Sequence, residues 1–512
     1  MYLSIFPEDY EIEKYRLLCR WIAEGLVMEK RGFTPMEVAE SYLDELVSRN
    51  MIQFQVSFGY YVKLETCRVH DMLLEVMGSK SLECNFVSLV GGPYAGMSYD
   101  RIRRLSIQGD NSRRLSSVEG AKKNMAGRRR HDNGIEGMNV QHVRSLSIFH
   151  QKGQQLLDHL VKFTLMRVLD LEGCLGLTKD HLQCICRLYL LRFLSFRGTD
   201  IREVPPQIEK LELLQTLDVR DTSGCRLPEN VKKLYQLERL QANYYRNNDA
   251  SRMWRLPLGL RNMTKLREVG FSLLGNDTEV AEDVGELEHL QELILYVDDI
   301  DFGTEVLQKL AQSLSKSYSL RRLIIGDMGY GKTLNFLHTL PTPPRLLRYL
   351  MIAGGIDTLP SWIGKLTYLD QINISWGRFV GDQPFDVLCN CPSLKTIIIH
   401  TMCYVGPELV ARTKHTFPEL ANLRVSSSST KPDIIRFEKG SMVNLQTLLV
   451  NMTNNEDKRI VGIEHLTSIK EVQLWGNKNN TAVGRALEQL KNENLRRHQE
   501  SNEQFQIVVK YK

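Results

Sequence analysis

The residues most suggestive of chemistry form a glycine-rich run in the middle of the chain. The run from Gly326 through Gly331 and Lys332 to Thr333 fits the pattern G-x-x-x-x-G-K-[ST]. In that pattern backbone N–H groups cradle phosphates while the lysine reaches the terminal ones. An apolar run upstream ends at Asp298, as a magnesium-binding strand would. On their own, these motifs indicate a nucleoside triphosphatase.

Other catalytic or metal-binding signatures are absent from the sequence. The ten cysteines contain no C-x-x-C pair and have no histidine pair at ligand spacing beside them, so no metal site is predicted. Neither G-x-S-x-G nor H-E-x-x-H occurs, which leaves no recognisable hydrolase or protease centre. Several cysteines, among them Cys389 and Cys391, stand where apolar residues would serve, and they are predicted to be free buried thiols.

The elements that must hold these residues follow a repeating apolar frame, L-x-x-L-x-L in loose form. Successive copies begin about 22 to 30 residues apart, which is the period of leucine-rich repeats. The last two apolar residues of a copy point the same way from one strand. Stacked copies predict an α/β leucine-rich-repeat solenoid: a curved parallel sheet inside a horseshoe, with short helical turns outside. The copies begin at Met166, Leu191, Leu214, Leu237, Leu266, Leu290, Leu320, Leu347, Leu369, Leu394, Leu420, Leu445 and Ile469.

This frame decides how the glycine-rich run is interpreted. Leu320, Leu323 and Ile325 form one copy, in phase with its neighbours, so Gly326 to Thr333 follows an ordinary repeat strand. A phosphate-binding loop must also lead into a well-formed helix, whereas residues 334–340 are few and stop at Pro341. Because a repeat array presents a surface rather than a catalytic pocket, the chain is expected to bind and not to be an enzyme.

Composition excludes further classes. The 512 residues are 42% hydrophobic and 25% charged, as in ordinary soluble proteins. A net charge of +5 is too small at this length to indicate nucleic-acid binding. A basic stretch from Lys122 to Arg130 is interpreted as a solvated loop, with a nuclear address or a nucleic-acid contact as the alternatives. Since neither a signal peptide nor a transmembrane segment is found, a cytoplasmic location is expected.

The first ninety residues follow a different plan. Apolar spacing predicts a helix over 16–27 with Gly25 near its end, and a second over 36–49 opened by Thr34 or Pro35. A hairpin around Gly59 and a third helix capped by Asp71 complete the order of a small α+β winged-helix domain. The predicted domains are 1–95 for the winged helix, 96–150 for irregular first repeats with the basic insertion, 151–495 for the repeats and 496–512 for a cap.

Motifs in this segment resemble those of plant NB-ARC–LRR disease-resistance proteins of the coiled-coil class. Residues 2–10 read Y-L-S-I-F-P-E-D-Y, close to that family's F-L-Y-C-S-I-F-P-E-D motif, and W-I-A-E-G at 21–25 continues its pattern. Residues 68–72, R-V-H-D-M, look like its M-H-D motif, with Val69 in place of methionine. With the irregular repeats that follow, the resemblance covers essentially the whole chain.

The resemblance implies a plant innate-immunity receptor in which a nucleotide-binding module exchanges ADP for ATP when the repeats sense a pathogen. In that family the histidine of the M-H-D motif contacts the ADP phosphates. His70 would then be this contact, and Asp71 would orient it or cap the helix. The chain begins inside the winged helix, without the family's upstream phosphate-binding loop or coiled coil, so no cofactor is expected for this chain alone. A solvated His70 at the helix start is the alternative.

The repeats themselves predict a surface for binding proteins. Arg321, Arg322 and Arg348 stand between frame residues on adjacent copies and would form a basic stripe, with Tyr349 beside them. Because arginine and tyrosine are frequent interface anchors, these four residues are predicted to contact a protein partner. The resemblance implies a pathogen effector, a host protein or an NB-ARC module. A cytosolic leucine-rich scaffold and the triphosphatase stay open as alternative functions.

Overall fold

The computed structural model of the chain forms two compact units, Met1–Asn247 and Asn248–Lys512. The predicted hairpin turn at Gly59, the basic stretch around Arg128 and Lys332 of the glycine-rich run lie outside the described residues. The structure describes residues 1–58, 63–90, 102–108, 139–149, 154–222, 225–242, 254–297, 303–327, 333–400, 402–426, 431–453, 455–500 and 503–511.

The chain begins with the predicted winged-helix domain. After a short 3₁₀ helix at Tyr2–Ile5, its elements are β1 (Ile12–Glu13), α1 (Lys14–Glu24), α2 (Pro35–Ser48), β2 (Ile52–Phe58), β3 (Lys63–Val69) and α3 (Asp71–Glu83). The three strands pair antiparallel in the order β1-β3-β2. Leu17, Leu18, Trp21 and Leu43 of the two long helices form the core of this domain.

Capping signals start and stop these helices. At the start of α2, Oγ1 of Thr34 accepts from the N–H of Glu37 (3.2 Å), and Oε2 of Glu37 accepts from the N–H of Thr34 (2.8 Å). α1 ends at Gly25, whose φ of 72° lets its N–H reach the carbonyl of Ile22 (3.0 Å). The prediction that Asp71 caps α3 is wrong. Asp71 is already helical, and the extended residue at the cap position is His70, which makes no side-chain capping bond.

Repeat strands of the first unit form a parallel sheet. They are β4 (Ser88–Val90), β5 (Arg104–Ile107), β6 (Ser145–Ile148), β7 (Val168–Asp170), β8 (Phe193–Ser195), β9 (Thr216–Asp218) and β10 (Arg239–Gln241). Leu169, Leu194, Leu217 and Leu240 pair in register on successive strands and are fully buried, as the frame predicts. The return segments are short: α4 (Gln154–Leu157), α5 (Lys179–Ile185) and the 3₁₀ helices Leu160–Lys162, Pro206–Lys210 and Glu229–Lys233.

The second unit continues the same pattern. Its strands are β11 (Trp254–Arg255), β12 (Glu268–Leu274), β13 (Glu292–Val297), β14 (Arg322–Asp327), β15 (Tyr349–Ala353), β16 (Gln371–Ser375), β17 (Thr396–Ile399), β18 (Glu408–Ala411), β19 (Asn422–Val425), β20 (Ile434–Phe437), β21 (Thr447–Asn451), β22 (Arg459–Val461), β23 (Glu471–Gly476) and β24 (Gln506–Tyr511). Leu293, Leu323, Leu350 and Ile372 pair in register, as the frame requires. β18, β20 and β22 form a separate parallel sheet of three strands.

Helices of the second unit return between its strands. They are α6 (Thr278–Gly285), α7 (Thr304–Lys316), α8 (Gln383–Leu388) and α9 (Thr481–Gln499), with 3₁₀ helices at Leu260–Asn262, Thr333–Thr339, Ser361–Lys365 and Ile463–His465. β24 pairs with β23 and adds a last strand, which lies within residues 496–512. None of the helices that the structure describes is both long and apolar enough to cross a membrane.

The glycine-rich run belongs to the repeat architecture. Gly326 lies inside β14, and a Cβ at this position would clash with the ring of Tyr296 and stand 2.9 Å from the carbonyl oxygen of Ala353. Thr333 begins a 3₁₀ helix and not the α-helix that a phosphate-binding loop requires. Close packing against Tyr296 therefore explains the glycine at 326.

Candidate protein-recognition surfaces

His70 and Asp71, which the family resemblance singles out, lie where β3 gives way to α3. His70 is exposed, and Asp71, in the first helical turn, is half-buried. Arg68 just before them forms an ion pair with Asp9 of the same domain. The nucleotide contact of His70 stays a prediction.

The four predicted partner-binding residues separate into two pairs. Arg321 and Arg348 are exposed immediately before β14 and β15, and the N–H of Arg348 donates to the carbonyl of Arg321 (2.8 Å). Arg322 and Tyr349 are direct partners in the ladder between those strands. The guanidinium carbon of Arg322 lies 4.0 Å from the centre of the Tyr349 ring, a cation–π contact. Binding of a partner by these residues stays a prediction.

Tyr349 and Arg322 are held by their own sheet. Tyr349 is only 7% exposed, and its hydroxyl accepts from Nδ2 of Asn373 (2.8 Å) on the next strand. Nε of Arg322 lies 3.8 Å from a carboxylate oxygen of Glu292. Glu268 on β12 pairs with Glu292 in the sheet ladder. Its burial, and secondly the charge of Glu292, raise the pKa of Glu268, while Arg322 acts to lower it. This row on the strand face is therefore internally paired, and the exposed arginines stand beside it.

One cluster among the described residues has the spacing of metal ligands: Asp382, Asp386 and His415. Nδ1 of His415 accepts from the N–H of Arg412 (2.9 Å), so Nε2 carries the proton and donates to Asp386 (2.9 Å). Lys414 also forms an ion pair with Asp386, and Arg412 with Asp382. Since both ring nitrogens and both carboxylates already have partners, the arrangement is a buried-histidine salt-bridge cluster rather than a cation site.

A surface that the sequence analysis missed lies where α1 meets the repeat strands of the first unit. Arg16 and Arg20, one turn apart on α1, both bind Oδ2 of Asp170 at the end of β7, at 2.6 Å and 2.7 Å. Arg20 also donates to Oγ of Ser147 on β6 (2.6 Å). All three charged side chains are almost wholly excluded from solvent. Two cations on one carboxylate at this depth demand near-ideal geometry, which the multiple bonds supply.

A second charged group extends this contact along the strands. Glu13, just before α1, accepts from Nη1 of Arg220 (2.6 Å), and Arg220 also binds Asp218 of β9 (2.8 Å). Burial alone would raise the pKa of Asp218, but the Arg220 guanidinium outweighs it and holds the pKa below its usual value. Arg197 joins Glu13 to Asp221. Charges from the winged helix and from the strands thus neutralise one another.

Apolar packing completes the contact. Cys19 and Ala23 of α1 form one buried cluster with Val168 of β7 and Phe193 of β8. At the far end, Nε of Arg239 donates to the hydroxyl of Tyr15 (2.7 Å). The winged helix therefore covers the strand face of β6 to β10, and that face is closed to an outside partner in this conformation.

The comparisons with known proteins agree with this architecture. Residues 142–503 match the family model described as a leucine-rich repeat region, which is more than half of the chain. Residues 5–77 match the winged helix domain of disease resistance proteins.

Individual relatives extend the match. Disease resistance protein PIK6-NP of Oryza sativa subsp. japonica is 31% identical over 526 residues, covering 93% of this chain and 48% of that protein. Disease resistance RPP8-like protein 3 of Arabidopsis thaliana is 25% identical over 500 residues, covering 93% and 50%. Among solved structures, a leucine-rich-repeat protein of Leptospira interrogans aligns with a TM-score of 0.42 and 17% identity, covering 69% of this chain and 76% of that one.

The chain spans about half the length of the two plant relatives. Its winged helix and its repeats both match the plant proteins in order and along nearly its full length. The chain therefore belongs to the family of plant disease-resistance proteins that join a winged-helix domain to leucine-rich repeats.

Proposed function

We propose that this chain is the recognition part of a plant innate-immunity receptor, working in the cytoplasm by binding proteins and not by catalysis. One observation carries the proposal: α1 of the winged helix is seated on the repeat strands through Arg16, Arg20 and Asp170. This contact joins the repeats physically to the domain that, in the family, belongs to the switch. The names of the relatives, all disease resistance proteins, support the setting.

The partner we propose is a protein: a pathogen effector, a host protein or a nucleotide-binding module of the same family. Repeats of this kind present rows of side chains on successive strands, and such rows suit extended protein surfaces. The first unit already uses its strand face to hold the winged helix, through the contacts of Arg20 with Asp170 and of Arg220 with Glu13. Recognition of an outside protein is therefore assigned to the second unit, Asn248–Lys512.

The test uses the full chain fused to a biotin ligase in leaf cells, with and without pathogen challenge. Proteins labelled in either condition are then titrated calorimetrically against the purified chain. We expect at least one to bind directly and to change amide hydrogen exchange in α1. Direct binding that leaves α1 unchanged would favour the scaffold alternative. ATP hydrolysis that disappears in Lys332→Ala, with no protein bound, would contradict the proposal.

A further inference from the structure

Where the chain enters β14, β15 and β16, it exposes large apolar and basic side chains together. Tyr318 is 73% exposed, Leu346 42% and Tyr368 55%, each one or two residues before the first buried leucine of its repeat. Arg321, Arg345 and Arg348 are exposed beside them. We call these six residues the strand-entry surface. It lies wholly within the second unit.

The sheet ladder sets the spacing of this surface. The N–H of Arg348 donates to Arg321 (2.8 Å), that of Asp370 to Arg348 (2.9 Å) and that of Lys395 to Asp370 (2.8 Å). These four residues therefore stand on adjacent strands, about 5 Å apart. The two tyrosines and Leu346 each precede one of these residues by two or three positions in the chain. The surface is thus a continuous band rather than scattered side chains.

The charge of this band is one-sided. Four successive repeats begin at Leu320, Leu347, Leu369 and Leu394. We compare three positions in each of them, namely the two residues before that leucine and the one residue after it, which makes twelve positions. They hold four cations, the three arginines and Lys395, and one acid, Asp370. None of the four cations forms an ion pair with any residue that the structure describes. On the return helices of the same unit, by contrast, Lys309 and Lys316 pair with Glu282 and Glu286.

We propose that the strand-entry surface binds an acidic protein segment carrying apolar side chains. Its carboxylates would face Arg321, Arg345 and Arg348, and its apolar groups would lie against Tyr318, Leu346 and Tyr368. Clustered exposed aromatic residues are uncommon on a protein surface and mark interaction sites. Tyrosine and arginine are enriched among the few residues that contribute most of the binding energy in protein interfaces. The inference deepens the proposed function, on which it rests, by naming the surface and the chemistry of the partner.

A protein partner fits this surface better than a nucleic acid. Leu346 stands between the two exposed tyrosines on neighbouring rungs, and an aliphatic side chain offers no stacking platform for a base. A phosphate backbone would need more cations than this band carries, because affinity rises with the number of phosphates neutralised. A mixed acidic and apolar polypeptide satisfies both halves of the surface at once.

The experiment selects peptides of about 12 residues from a random display library on the purified full chain. The same selection is run on Arg321→Glu/Arg348→Glu, on Tyr318→Ala/Tyr368→Ala, and on Lys439→Glu/Lys491→Glu. The last variant makes the same charge change at two other exposed lysines of the second unit. A single-stranded thymidine oligonucleotide is titrated in parallel. All the substituted side chains are exposed, so each variant is expected to fold. The melting temperature of each variant checks this.

We expect the selected sequences to be rich in Asp and Glu alternating with apolar residues. A synthetic peptide of that kind should bind about tenfold or more weakly to the first two variants and unchanged to the lysine control. Acidic peptides bound equally by every variant would place recognition elsewhere and overturn this inference while leaving the proposed function intact. Failure to select any peptide would also overturn it, as would oligonucleotide binding lost only in Arg321→Glu/Arg348→Glu.

Discussion

His400 follows β17, where burial, and then the nearby Arg424 guanidinium, lower its pKa to about 4. The pKa of a histidine in an unfolded chain is near 6.5, so between pH 6.5 and 4 only the unfolded chain takes up this proton. The free energy of unfolding therefore decreases as the pH is lowered through this range. We predict that, between pH 7 and pH 4, the free energy of unfolding of His400→Gln decreases by about 3 kcal/mol less than that of the wild type. Urea denaturation of both proteins across that range measures it. The exposed His289→Gln is the control, and parallel pH profiles for wild type and His400→Gln would contradict the assignment.

The exposed position of His70 gives a second prediction at this scale. An imidazole at a helix start offers one donor, whereas phosphate affinity in proteins comes mainly from several converging backbone N–H groups. We expect calorimetric titration of the chain with ADP to show no micromolar binding, and His70→Ala to change nothing. Micromolar binding that His70→Ala abolishes would contradict this expectation and show that residues 1–512 hold the nucleotide through His70.

At the scale of elements, the seat of α1 depends on Asp170. Asp170→Asn removes the carboxylate that both buried arginines share and leaves Arg16 with Glu172 alone; removing one partner of a buried ion pair typically costs about 3–5 kcal/mol. We predict a corresponding loss of stability in the first unit and faster amide hydrogen exchange over Lys14–Glu24. Asp221→Asn is the matched control, because that carboxylate is half-exposed and exposed pairs contribute about 1 kcal/mol or less. Equal effects of the two substitutions would mean that burial does not govern this contact.

Gly326 tests whether β14 is a repeat strand or the approach to a phosphate loop. A Cβ at 326 has no room beside Tyr296 and Ala353, so Gly326→Ala should destabilise the second unit by about 1–3 kcal/mol through overpacking. Gly484→Ala, in the helix α9 with open space around the new Cβ, should instead stabilise by about 0.5–1 kcal/mol. Thermal unfolding of both variants measures the difference. A neutral Gly326→Ala would remove the packing explanation for this glycine.

The strands were predictable from the sequence, and the contact of the winged helix was not. Leu217 and Leu323 occur where the frame requires an apolar residue, and hydrophobic spacing alone decides which face a strand buries. Arg16 and Arg20 look like a solvated helix face, because nothing local shows that Asp170, some 150 residues later, will meet them. The one available signal was the recurrence of Asp at equivalent frame positions, 170 and 218.

The predicted partner-binding residues show the same limit. The sequence predicted a basic stripe of Arg321, Arg322 and Arg348 with Tyr349 beside it, because these residues stand between frame residues. Position in the frame does not reveal neighbours on the next strand. Asn373 binds the Tyr349 hydroxyl, and the Tyr349 ring in turn holds Arg322. Side chains between frame residues can pair with side chains on neighbouring strands, and such pairs are then not available to a partner protein. These pairs can be identified only when the register of the strands is known.

At the scale of the molecule, a repeat array has to protect the apolar ends of its stack. In the first unit, Leu89 of the first repeat strand and Val87 just before that strand belong to the core of the winged-helix domain. In the second unit, β24 pairs with β23, and α9 buries Val483, Ala486 and Leu490. Two unlike elements, the winged-helix domain in the first unit and α9 with β24 in the second, therefore cover apolar ends of the repeat sheet.

The helix α9 and the strand β24 give a prediction for the behaviour of the whole chain. Leu490 of α9 is 1% exposed and Leu495 of the same helix is 59% exposed, so one substitution can be made on each face. Leu490→Asp puts a carboxylate into the apolar contact beneath α9, at a cost of more than about 3 kcal/mol, and frees the edge of the sheet to pair with other chains. We expect light scattering to show association of Leu490→Asp at concentrations where wild type and Leu495→Asp are unchanged. The contrary result is that the wild type, Leu490→Asp and Leu495→Asp scatter light equally although Leu490→Asp has lost the helix α9. In that case the exposed sheet edge does not drive association, and α9 is not needed as a cap.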